Sequence, residues 1–71
     1  MAHHEMRVLV DKVKVAQVGG HDVDRVEAEA FHYAMQYRTD GDVTVQRQVR
    51  TGHPDGKWRW KRHAFFSQIP N

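Results

Sequence analysis

The sequence predicts a small α+β fold: an antiparallel sheet of three to four strands with one α-helix packed on one face, in the order β-α-β-β. Three observations predict it. A valine-rich alternating segment opens the chain, an alanine-bearing stretch with helical spacing follows, and two alternating runs close it around a Pro-Asp-Gly turn. With 71 residues and no linker, repeat or low-complexity tract, the chain reads as one domain over residues 1–71.

The first element covers residues 6–18. Val8 and Val10 share one parity, whereas Val13 and Val15 share the other. A strand sends alternate side chains to opposite faces, so this switch predicts a bulge near Asp11-Lys12 or a change of pairing partner. Gly19-Gly20 ends the segment. Helix-start chemistry comes next: Asp24 and Glu27 fit a capping box, with Val23 and Ala28 at the positions of a hydrophobic staple. Val26, Ala30, Tyr33, Ala34 and Tyr37 then recur at helical spacing, with Phe31 and Met35 widening the stripe. The helix is expected over residues 25–38. Because Val26-Glu27-Ala28 also alternates, residues 21–28 fit an extended start as well.

Residues 42–50 alternate, with Val43, Val45 and Val49 on one side and Thr44, Gln46, Gln48 and Arg50 on the other. Thr51-Gly52-His53-Pro54-Asp55-Gly56 is a loop with a strong turn signal. Residues 57–66 alternate again: Trp58, Trp60, Ala64 and Phe66 in one direction, Lys57, Arg59, Lys61 and His63 in the other. The expected hairpin therefore packs Trp58 and Trp60 over the helix alanines Ala30 and Ala34. Its polar side stays open.

Net charge is only +2, but it is unevenly spread. Residues 1–36 carry four basic and six acidic side chains, residues 37–71 seven basic and three acidic. Such asymmetry points to an interaction surface for nucleic acid or an acidic partner. Parity assigns Arg50, Lys57, Arg59 and Lys61 to the open face, with Arg62 near its edge. Alternate residues on a strand lie about 7 Å apart, close to a nucleic-acid phosphate repeat. Lysines on a strand also deter edge-to-edge pairing, which needs no ligand. An aromatic platform for bases disagrees with the parity, which sets both tryptophans opposite the charges; only Phe65 shares the charged side.

Other chemistry has little material. There is no cysteine, which excludes disulfides and thiolate metal sites. Ser67 is the only serine, and no nucleophile–base–orienter set or glycine-rich phosphate loop is visible. An enzyme is not expected, nor is a cofactor. Six histidines are present, but no His-x₃₋₅-His pair has a helical carboxylate partner for zinc. Loss of Met1 would leave Ala2-His3-His4, whose amine, amides and third-position imidazole can enclose Cu(II) or Ni(II) in a square plane; chance or a cloning remnant is the simpler explanation of the run. The first residues lack the basic and apolar regions of a secretory leader, and no stretch approaches the roughly 20 apolar residues needed to span a membrane.

At Val26-Glu27-Ala28-Glu29-Ala30…Ala34, followed by residues 42–50 and Gly56-Lys57-Trp58, the chain resembles small phage and mobile-element accessory proteins with a strand–helix–hairpin pattern. Some anti-CRISPR proteins directed at type I surveillance complexes are among them. The likeness covers residues 7–61; the long loop and histidine-rich start depart from the pattern. It implies a non-enzymatic inhibitor in the cytoplasm of a bacterial host, binding a host protein or nucleoprotein complex through the basic hairpin. The alternative expectation is an accessory protein that puts the same residues directly on DNA or RNA phosphates. A thin core, about 60% of the unfolded surface at this length, keeps both monomer and homodimer open.

Overall fold

A computed structural model describes residues 3–50 and 56–70. Four strands, β1 (His4–Val10), β2 (Val13–Gly20), β3 (Val43–Arg50) and β4 (Trp58–Phe66), flank one helix, α1 (Val23–Tyr37), in the order β-β-α-β-β. They form one antiparallel sheet with strand order β2-β1-β3-β4. The α+β class is as expected, but the order is not: the opening segment is two strands.

The parity switch in that segment is a hairpin turn. Asp11 and Lys12 both have positive φ, 46° and 74°. Two such residues in succession give a turn whose twist matches the strands, and sequence searches recognise it by Asn-Gly or Asp-Gly. Here two side-chain-bearing residues accept the left-handed backbone, stabilised from outside the hairpin. The Asp11 N–H donates to the Asp42 carbonyl at 3.0 Å, and the Asp11 carboxylate accepts from the Asp42 N–H at 3.1 Å. This reciprocal pair fixes the turn to the start of β3. A one-residue shift between Val8 and Leu9 in the β1–β2 register brings both Val15 and Ala16 against the core.

The helix begins two residues before its expected start. Asp22, not Asp24, is the N-cap: its carboxylate accepts from the Asp24 N–H (3.1 Å) and the Arg25 N–H (3.4 Å), satisfying two of the first-turn donors. Glu27 is free of capping duty and turns toward the sheet. At the other end the chain after β4 folds back over the helix terminus. The Gln68 N–H donates to Asp42 at 2.8 Å, and the Ile69 N–H to the Arg38 carbonyl at 3.0 Å.

The helix lies across β2, β1 and the start of β3. Between it and the sheet lie seven buried side chains: Val26, Ala30 and Ala34 from the helix, and Met6, Val8, Val43 and Val45 from the strands. Ala30 and Ala34 are fully covered, but by these aliphatic residues and not by indoles. Small helix residues let the helix approach closely, so valines fill the gap at interior density. Among the described residues no helix is long and apolar enough to cross a membrane.

Candidate functional site

Among the described residues no helix or strand covers the sheet face away from α1, and the character of that face is set by one irregularity in β4. Val45 pairs with Ala64, but the next β3 residue, Gln46, pairs with Arg62, leaving His63 as an extra residue. A bulge of this kind reverses the alternation beyond it. Partners in register share a face, so Ala64 and Phe66 lie on the helix side with Val45 and Val43. Trp60, opposite Gln48, and Trp58, opposite Arg50, lie on the open side with Arg62 and Phe65. The expected packing of both indoles over the helix alanines is thus overturned. Trp58 is 54% exposed and Phe65 49% exposed.

His63 ties the bulge to the helix. Its Nε2 lies 2.7 Å from Glu27 Oε2, and its ring stacks on Phe31 with centroids 5.9 Å apart. Phe31 in turn meets Phe66 edge-on at 5.8 Å. The extra residue's side chain is thus accommodated against the helix.

The bulge also divides the predicted basic face. Arg62 is on the open side, its guanidinium carbon 5.6 Å from the Phe65 ring centroid. Arg59, opposite Val49, and Lys61, opposite Arg47, fall on the helix side. Lys57 precedes β4 and is exposed. Arg50 pairs with Trp58 in the ladder, and its side chain falls outside the described set, as do residues 51–55 of the expected turn. Gly56, which ends that loop, has φ of 59°, a backbone that favours glycine.

Arg7 joins the open face beside Gln46, which alternation already places there. Arg7 and Gln46 are paired across β1 and β3, and Arg7 Nε donates to Gln46 Oε1 at 2.6 Å. The Arg7 guanidinium lies 4.3 Å from the Trp60 ring centroid. Arg7 alternates with buried Met6 and Val8, so its face was legible, but its aromatic partner was not. The open face thus carries cation–aromatic pairs, Arg7 with Trp60 and Arg62 with Phe65, beside exposed Trp58. Thr44, Gln46 and Gln48 lie between them in the ladder. At the far end, Phe65, Arg62 and Thr44 line a recess of about 330 Å³ with Asp11, Lys12 and Asp42.

Among the described strand residues, Glu5 is the carboxylate on this face. It is engaged by His3 at 2.7 Å and by Gln17 at 3.2 Å. The His3 hydrogen bond holds its carboxyl below the usual carboxylate range against some desolvation, with further lowering from Gln17 and the His3 charge. Among the described residues no group of three His, Asp or Glu side chains gathers as a metal site. Of the Ala2-His3-His4 run, Ala2 lies outside the described residues. The chain matches no family model, no curated protein and no solved structure.

Proposed function

We propose that this protein is a non-enzymatic binding module that takes single-stranded nucleic acid on the open face of its sheet. One observation carries the reading: Trp58, Trp60 and Phe65 share that face with Arg7 and Arg62. Sequence-tolerant binding of single strands combines aromatic surfaces, on which bases stack, with cations for the backbone. A guanidinium lying flat on an indole extends the stack, because arginine planes also stack on bases. Unpaired bases are needed for this, so a duplex is the poorer ligand.

Fluorescence anisotropy with labelled dT₁₂ and U₁₂ oligonucleotides, against a duplex of equal length, tests the reading. The single strands bind more tightly than the duplex, and Trp58→Ala weakens single-strand binding about 5- to 150-fold, the range for one lost stacking partner. Equal binding of duplex, or affinity indifferent to Trp58→Ala, rejects it. The inhibitor expectation, in which the hairpin occupies a host nucleoprotein complex, predicts the reverse pattern. Free oligonucleotide would then bind weakly, while a protein target survives capture from nuclease-treated bacterial lysate.

A further inference from the structure

The register places a second set of cations behind the aromatic face. Beyond Arg47, β3 has no partner in β1 and pairs with β4 alone, so the two strands continue as a ribbon. Arg47, Lys61 and Arg59 lie on the helix side of this ribbon and all three are exposed. Arg47 stands in register with buried Met6, so the change from buried to exposed marks where the helix ceases to cover the sheet. None of the three has a carboxylate partner among the described residues. Arg47 and Lys61 are directly opposed across the ladder, and like charges so placed repel unless an anion lies between them.

β4 is an edge strand. Its open side carries Trp58 and Trp60, and its helix side carries Arg59 and Lys61, in strict alternation over four residues. A nucleotide has its base at one end and its charge at the other. We infer that a single strand runs along the free β4 edge, bases stacked on Trp58 and Trp60, with its phosphates passing round the edge onto Arg47, Arg59 and Lys61. The ribbon is then a two-faced clasp, one face for bases and one for the backbone. This rests on the single-strand reading above and adds a phosphate site on the helix side of the ribbon, separate from Arg7 and Arg62 of the open face.

The test compares the salt dependence of dT₁₂ binding by the native protein and by the triple variant R47A/R59A/K61A, with R25A on the helix as a charge control. Each phosphate contact on a single strand contributes about 0.7 to the slope of log K against log salt. The triple variant loses about 2 from the magnitude of the slope, while R25A leaves it within experimental error. Indole quenching by the bound oligonucleotide persists in the triple variant, which shows that the base face is intact. An unchanged slope with persistent quenching overturns the phosphate site alone. Failure of the native protein to bind dT₁₂ overturns this site and the single-strand reading together.

Discussion

The helix-covered end of the sheet and the ribbon that extends beyond it use opposite kinds of side chain. Under the helix, every buried residue is aliphatic, the strand contributions being Met6, Val8, Val43 and Val45. On the ribbon stand the two indoles, with Arg47, Arg59 and Lys61 behind them. The largest apolar side chains of the chain are thus spent outside the core. In a domain with so little interior this is the reverse of what stability alone would select, because a buried aromatic contributes more than a valine. The covered end holds the buried core, and the ribbon holds the exposed aromatic and basic side chains on which the proposed binding rests.

Substitutions that separate the two regions sharpen this contrast. The largest effect on folding belongs to Met6→Ala, which removes a side chain only 2% exposed beneath the helix. It costs about 2–5 kcal/mol, measured as a shift of the urea midpoint at constant m-value. A loss below 1 kcal/mol would mean that the covered end is not the source of stability. His63→Ala lies at the junction of the regions and removes both the contact with Glu27 and the stack on Phe31. It lowers stability by about 1 kcal/mol, a fall of roughly 4–8 °C in Tm for a domain of this size.

The smallest effect is acid sensitivity at the rim of the sheet. Glu5 has a folded-state pKa below its unfolded value, chiefly through its hydrogen bond from His3. Its contribution is complete above the unfolded carboxylate pKa of about 4.3 and is lost as pH falls through the folded value. Glu5→Gln therefore narrows the stability difference between pH 6 and pH 3, read as the difference in urea midpoint. An unchanged difference would show that the His3 contact does not act on folding.

Much of the covered end was legible from the sequence. Val26, Ala30 and Ala34 repeat every four residues, and Val43 and Val45 alternate, so the helix and the hairpin were both read in place. The β1–β2 hairpin was not, because Asp11-Lys12 lacks the glycine that usually marks such a turn. What holds it is Asp42, thirty-one residues away. The bulge at His63 was hidden for a different reason. Alternation in sequence matches alternation in space only while no residue is extra, and Trp58, Trp60, Ala64 and Phe66 kept perfect parity across the interruption. A signal was available in proportion: Ala30 and Ala34 offer one short strip of helix surface, too little to cover four side chains spread along nine residues of strand. Parity alone gives a basic face with Phe65 as its one aromatic, and the register adds Trp58 and Trp60 to that face.

The central claim is that both indoles stand on the open face and are covered there by ligand. Acrylamide quenching of the intrinsic tryptophan fluorescence tests it most directly, in the free protein and with saturating dT₁₂. The free protein should show red-shifted, readily quenched emission, and the oligonucleotide should protect it. Blue-shifted emission that acrylamide barely reaches in the free protein would put the tryptophans under the helix and contradict the account.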